Sequence, residues 1–304
     1  MQRAIVTGGA GFIGSHVVDR LIDDGFKVIV IDNESAECNA EFYYNKKAEY
    51  YKYDIEDYDL IEPLFKGVDY VFHLAAESRI QPTLDRPVKA CMTNIIGTCN
   101  ILEASRRNGI KRVMYSSTSS AYGLKNKIPL NETMHRDCLN PYSVTKVGAE
   151  DLCKMYYTLY GLETVIFRYF NVYGERQPLK GQYAPVVGLF LEMKKAGKPM
   201  TVVGDGLQTR DYTYVKDVVE ANMLAMNSNN EEIFAEIFNV GTGTNHSVLD
   251  LVHMIKGDHN HLPARQGEAR DTLADNSKLK NALNWQSKET IDAWISKYKM
   301  ENNI

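Results

Sequence analysis

A doubly wound α/β fold with a parallel central sheet follows from three features of the sequence. Short apolar runs alternate with longer stretches of helical spacing along the chain. A glycine-rich turn, TGGAGFIGSH, joins the first run to the first helical stretch. An acidic residue, Asp32, closes the second run. Together they predict a Rossmann-type sheet whose strand ends face a ligand.

Taken in order, RAIVTG (3–8), KVIVID (27–32), YYKYD (50–54), DYVFHLA (69–75), KRVMYSS (111–117), ETVIFRYF (163–170) and IFNVG (237–241) read as strands. Residues 12–24, 57–66, 88–108, 143–160, 215–227 and 247–256 carry helical spacing. Segments 172–209 and 257–275 break the rhythm; they read as ligand-facing loops and small elements outside the sheet. The expected organisation is a cofactor-binding domain of residues 1–171 and 210–241, with a smaller, mostly C-terminal substrate-binding subdomain of 172–209 and 242–304. Trp285 and Trp294 are expected to anchor the C-terminal elements.

Composition narrows the partners. The net charge of −4 carries no basic field for nucleic acid or an anionic membrane, so an anionic ligand must be met by a few placed cations. The Tyr- and Lys-rich run at 41–53 does not change this, since part of it is a strand. Five cysteines, an odd number without a C-x-x-C spacing, argue for reduced thiols and against a disulfide framework or a metal site. No signal-like or membrane-spanning apolar run is present, so a cytoplasmic protein is expected.

Gly8, Gly11 and Gly14 lie between strand and helix, where glycines let the backbone turn sharply and approach a pyrophosphate at a helix N-terminus. Phe12 and Ile13 belong to the same turn. Asp32, with Asn33 beside it, is placed to bond a ribose diol and to repel a 2′-phosphate, which favours NAD over NADP. Asp54 and Ile55 end the third strand and can hold the adenine edge and face. Leu74, Ala75 and Ala76 end the fourth, where small side chains admit a cofactor close to the backbone; His73 reads as a packed strand residue.

Tyr142 and Lys146 in NPYSVTK are four residues apart and so share one helix face. A free tyrosine is a poor base near neutral pH. A nearby ammonium, or a bound nicotinamide cation, stabilises its phenolate, and Lys146 can also hold the nicotinamide ribose. The hydroxyl cluster YSSTSSAYG (115–123) closes the fifth strand and supplies Thr118, Ser119 and Ser120.

The glycine turn, PYSVTK and the hydroxyl cluster resemble the extended short-chain dehydrogenase/reductase family, and within it the UDP-hexose 4-epimerases. The likeness extends through TNIIGTCNILEA (93–104), RYFNVYG (168–174), GDGLQTRDYTYVKDVVEA (204–221) and FNVGTG (238–243), with RYFNVYGERQPLKGQYA and STSSAYG most similar to the UDP-N-acetylglucosamine 4-epimerases. It implies Tyr142 as acid/base and Thr118 as hydrogen-bond partner of the reacting sugar oxygen. Sister 4,6-dehydratases carry an Asp-Glu pair where this chain has Ser119 and Ser120, and UDP-glucuronate decarboxylases carry a Glu at the latter position. Serines have no proton that titrates near neutral pH, so the expected chemistry is oxidation and reduction at one carbon. Glu77, in HLAAES, instead resembles the dehydratases. The alternatives are a UDP-glucuronate-type 4-epimerase, a dehydratase or decarboxylase on the same fold and, from another class, a non-catalytic nucleotide-sensing protein.

For a UDP-sugar the resemblance implies Arg210 and Arg265 at the pyrophosphate, Asn171 at a phosphate and Glu268 at the uridine ribose, with Arg270 as a further candidate. Guanidinium groups suit this because their flat, permanently charged fork donates several hydrogen bonds. Thr272 stands where relatives restricted to UDP-glucose and UDP-galactose carry a bulky tyrosine, which leaves room for an acetamido group. The resemblance also implies a homodimer through helices 88–108 and 143–160.

Overall fold

The computed structural model describes residues 1–36, 39, 41–179, 185–263 and 269–304. Seven strands form the central sheet: β1 (Arg3–Thr7), β2 (Lys27–Ile31), β3 (Glu49–Tyr51), β4 (Tyr70–His73), β5 (Arg112–Thr118), β6 (Glu163–Tyr169) and β7 (Glu236–Val240). All adjacent pairs are parallel. Their order is β7-β6-β5-β4-β1-β2-β3. Chain order reverses between β1 and β4, and a crevice opens there beyond the carboxyl ends of the strands.

Helix α1 (Phe12–Asp23) starts directly from the glycine turn. The stretch expected to be helical at 57–66 is a short α-turn, Tyr58–Ile61, followed by the 3₁₀ turn Glu62–Phe65. Pro63 has no N–H for an α-helical bond and begins that change. Helix α2 (Ile80–Asp85), about one and a half turns long, is too short to show a period in sequence. Helix α3 is not continuous: Pro87–Cys91 widens into the π-helical segment Met92–Gly97 before Thr98–Arg107 resumes as α-helix. Helix α4 (Pro141–Tyr160) begins with a capping box and Pro141 and ends at Gly161, whose φ of +71° makes the left-handed stop. The remaining helices are α5 (Val186–Lys195), α6 (Val215–Asn227), α7 (Val248–Ile255), α8 (Ser277–Leu283) and α9 (Ile291–Asn302). Helix α5 lies in the segment read from sequence as loop and small elements. Among the described residues no helix is long and apolar enough to cross a membrane.

The sheet is covered on both faces, as its apolar strands require. One apolar cluster joins it to α1, α6 and α8, with Trp285 fully buried and its indole N–H donated to the Asp217 carbonyl at 2.9 Å. A second joins the other face to α3 and α4. A third, beyond the sheet, holds α5, α7 and α9 together around Trp294, which donates to a Glu175 carboxylate oxygen at 3.0 Å.

One buried ion pair fastens α4 to the sheet. Arg168 of β6 donates to Glu150 of α4 at 2.8 and 2.7 Å, and Ser117 of β5 donates to the same carboxylate at 2.6 Å. Both charged side chains are sealed from water, at 1% and 0% exposure. Arg168→Leu strands the carboxylate, and urea unfolding is expected to show a loss of about 3–5 kcal/mol. Replacing both members together, Arg168→Leu with Glu150→Gln, should recover much of that; a single variant as stable as the wild type would refute the role of the pair.

Candidate active site

The glycine turn is shaped by contact rather than by flexibility. Gly8 has φ +70°, and a Cβ there would come 2.8 Å from the Ala75 nitrogen at the end of β4. A Cβ on Gly14 would lie 2.1 Å from the Gly8 carbonyl oxygen. No side chain fits at either position, so the β1–α1 turn and the β4 end form one wall. Phe12, Ile13, Ile55, Leu74 and Ala76 border the same cleft, as do Gly11, Asp32, Asn33 and Asp54.

The two carboxylates on this wall differ in state. Asp32 accepts from the Ala10 N–H at 3.0 Å and the Glu34 N–H at 2.8 Å. Its burial still raises its pKa against those bonds. Asp54 is also penalised by burial, but the Glu56 N–H, Asn33 and Lys89 more than offset that and hold it below the usual carboxylate range. Asn33 donates to it at 3.0 Å and Lys89 at 3.2 Å.

Opposite stands the start of α4. The Asn140 side chain accepts from the Ser143 N–H at 2.9 Å, and Ser143 donates back to the Asn140 carbonyl at 3.0 Å. This cap fixes where the helix begins, so Tyr142 falls in its first turn, aimed at the carboxyl end of β5. Burial raises the Tyr142 pKa; the neighbouring Thr118 hydroxyl and the charge of Arg79 act against the rise. Thr118 also accepts from the Ser120 N–H at 3.1 Å, which holds the strand end in place. Lys146, one turn on, is almost wholly buried. Burial pulls it down to about 7. Its Nζ lies 4.3 Å from the centre of the Tyr115 ring.

A chain of hydrogen bonds behind this surface links the two walls. Thr7 Oγ1 meets His73 Nδ1 at 2.7 Å, and His73 Nε2 meets Thr98 Oγ1 at 2.9 Å. Thr98 uses its own proton on the Asn94 carbonyl at 2.7 Å, so Nε2 is the donor; Thr7 Oγ1 already accepts from the Leu74 and Ala75 N–H groups, which leaves its own proton for Nδ1. That assignment requires a neutral imidazole. It agrees with a His73 pKa held well below its ordinary value by burial and by Lys146. Asn94, in the π-helical turn, exchanges bonds with the Glu77 backbone at 2.8 and 3.1 Å and donates to Thr145 Oγ1 at 2.9 Å.

On the substrate side Ser119, Ser120, Asn171, Arg210 and Thr272 border the cleft, whose volume is about 610 Å³. Asn171 has φ +25°, a conformation asparagine tolerates, and donates to the Thr272 hydroxyl at 3.3 Å. Arg210 Nη1 is held by the carbonyls of Thr209 and Arg270, each at 2.9 Å. Arg270, the further candidate, forms an exposed pair with Asp205 at 2.8 Å. Among the described residues it is not part of the cleft lining. Arg265 and Glu268 lie outside the described residues. The structure adds Glu77 and Arg79 after β4, and Phe190 of α5, to the cleft lining. The first two were within reach of sequence reasoning, since they directly follow Ala75–Ala76; Phe190 sits in the run VVGLFLEM, whose apolar character marked a helix inside a supposed loop.

The family model described as GDP-mannose 4,6 dehydratase matches residues 5–298. Among solved structures, a UDP-glucose 4-epimerase of Thermotoga maritima with UDP-glucose is 37% identical, covers 100% of both chains and superposes with a TM-score of 0.92. A UDP-N-acetylglucosamine 4-epimerase of Methanobrevibacter ruminantium, in complex with UDP-N-acetylmuramic acid, is 33% identical over 99% of both chains with a TM-score of 0.89. A UDP-glucuronic acid 4-epimerase of Bacillus cereus, with UDP-glucuronic acid and NAD, is 29% identical over 99% of both chains with a TM-score of 0.88. The sheet order, the glycine turn and the placement of Tyr142 and Lys146 are thus accompanied by a likeness along nearly the whole chain, and the protein belongs to the GDP-mannose 4,6 dehydratase family, within the extended short-chain dehydrogenases/reductases.

Proposed function

We propose that the protein is an NAD-dependent UDP-sugar 4-epimerase that inverts C4 through a transient 4-keto sugar, with an N-acetylhexosamine as the sugar. The observation that carries this is the pairing of Tyr142 and Thr118 at the cleft, followed by Ser119 and Ser120 where a dehydration or decarboxylation would need an acid.

The cofactor wall fits NAD: a Cβ on Gly8 would collide with the backbone after β4 and one on Gly14 with the turn itself, and the Asp32 carboxylate borders the cleft for a ribose diol. When bound, NAD supplies the acceptor and donor for the hydrogen moved at C4. Tyr142 takes the proton of the 4-hydroxyl on oxidation and returns it on reduction. Thr118 holds that oxygen in place, and Lys146 stabilises the phenolate and binds the nicotinamide ribose. The sugar turns about its pyrophosphate, held by Arg210, and presents its other face. The chain contributes position, charge and exclusion of water.

Thr272 supports the sugar assignment. It is a small residue in the cleft wall, with its hydroxyl already accepting from the Asn171 side chain and the Asp211 N–H, so it leaves space beside C2. Exposed apolar residues on the two long helices, among them Val88, Met92 and Ile96 on α3 and Val144 and Leu159 on α4, support pairing with a second copy.

Incubation with UDP-N-acetylglucosamine is expected to give a product of unchanged mass and inverted C4; loss of water or carbon dioxide would sink the reading. Tyr142→Phe should cut turnover by roughly 10²–10⁴-fold while sparing substrate affinity, and undiminished turnover would remove the base assignment. Thr272→Tyr is expected to lose N-acetylated substrates before UDP-glucose in kcat/KM, whereas an equal loss of both would refute the size argument. Lys146 offers a pH test. Its folded value of about 7 is far below that of an unfolded lysine. The penalty for burying the ammonium is therefore full below pH ~7 and fades as the pH rises towards ~10. Lys146→Met removes the penalty, so its gain in melting temperature over the wild type should be largest near pH ~6 and shrink towards pH ~9. A gain that does not vary with pH would contradict a buried amine.

A further inference from the structure

We infer that Asp211 is the positioning residue of the substrate side. Its buried carboxylate sets Arg210, Asn171 and Thr272 against the sheet, so that a sugar turning about its pyrophosphate is kept in the cleft until it is reduced. The inference rests on the epimerase reading above. Asp211 ends the short strand Thr209–Asp211. Alternation along the chain turns Arg210 and Tyr212 to the cleft and Asp211 away from it. Asp211 is 0% exposed and, among the described residues, is not part of the cleft lining. Its carboxylate accepts four bonds. One oxygen takes the Thr242 N–H and hydroxyl, both at 2.8 Å; the other takes the Gly243 N–H at 2.9 Å and the Ala274 N–H at 3.1 Å. Its backbone joins the cleft wall: the Asp211 N–H donates to Thr272 Oγ1 at 3.3 Å, and its carbonyl accepts from the Asn171 side chain at 3.1 Å.

Three segments meet at this one residue. Residues 241–243 leave the carboxyl end of β7, Asn171 follows the end of β6, and Ala274 lies just past Thr272. They meet without slack: a Cβ on Gly241 would come 2.4 Å from the Ala274 Cβ and 3.0 Å from Asp211 Oδ2. Hydrogen bonds to a carboxylate are stronger than neutral ones, and a buried carboxylate that loses its donors is costly, so the junction resists displacement. Arg210, one peptide unit away, is thereby held against β6 and β7. Arg168 of β6 fastens α4, and with it Tyr142, to the same strand. Anchor and base therefore share one frame. During the turn the keto sugar is held chiefly by its nucleotide: C4 has given a hydride to NAD+ and its hydroxyl proton to Tyr142. If the anchor yields, the keto sugar leaves with neither returned, and the cofactor stays reduced. A loose anchor thus shows as reduced nicotinamide that builds up during turnover, which a merely less stable fold does not produce.

Asp211→Asn keeps the size of the side chain but turns an amide toward two of the four donors. Titration of the NAD-loaded protein with UDP, which needs no turnover, is expected to show an affinity about tenfold weaker than the wild type. With UDP-N-acetylglucosamine or UDP-glucose the variant should raise KM by a similar factor, and the near-ultraviolet absorbance of reduced nicotinamide should grow as the reaction proceeds, while the wild type stays oxidised. Thr242→Val removes one donor and should show both effects in smaller measure; it carries the test if Asp211→Asn does not fold. A lower melting temperature with wild-type UDP affinity and no reduced cofactor would overturn the proposal and leave Asp211 a residue of the fold alone. So would a loss of kcat with KM and cofactor state unchanged. A wild type that inverts C4 of neither sugar would refute the epimerase reading, and the UDP affinities would still decide Asp211.

Discussion

The Asn94 side chain is the point on which both walls of the cleft rest. It bonds the Glu77 backbone beyond β4 and the Thr145 hydroxyl of α4, while its own carbonyl takes the proton of Thr98. A regular α-helix presents a side chain and its own carbonyl in a fixed relation along the axis. The π-helical turn Met92–Gly97 widens the ladder and lets residue 94 serve three elements. Thr98 in turn fixes the His73 ring as a neutral donor–acceptor, which holds Thr7 beneath the Leu74 and Ala75 N–H groups, both at 3.2 Å. A charged imidazole would break this direction of donation, since both nitrogens would then be donors. Burial beside Lys146 prevents that charge.

From this follows the precision of the reacting groups. The distance between Tyr142 and the Ala75 wall is set by how α4 sits on α3, β5 and β6. Asn94 sets it at one end of α4, and the Glu150 pair with Arg168 and Ser117 sets it further along. The helix start is then a local matter of the Asn140 cap. Each interaction is buried, so each is strong against loss of a partner even where its net contribution to stability is small.

The sheet was legible because each strand is an apolar run bounded by turns, and a doubly wound sheet leaves little freedom in how such runs stack. Gly8, Gly14, Asp32, Tyr142 and Lys146 were legible because short-range spacing alone determines their placement. The π-helical turn was not: TNIIGT fits a regular helix as well, and what distinguishes it is the fit of Asn94 to partners distant in sequence. Arg270 shows the converse limit. Its spacing from Thr272 is local, but its pairing with Asp205, 65 residues away in sequence, is not readable from any local pattern. Arg79 follows the Ala75–Ala76 stretch closely, so its place on the cleft is within reach of the sequence; that its Nε lacks a hydrogen-bond partner depends on packing and is not.

Two cations border the cleft along with Tyr142, and they differ in kind. Lys146 is so deeply withdrawn that at neutral pH it is charged only part of the time, and the Tyr115 ring beneath it supports the ammonium without anchoring it as a carboxylate would. Such a group responds to what binds: a nearby anion or phenolate draws the proton onto it. Arg79, from the segment after β4, also favours the Tyr142 phenolate through its charge.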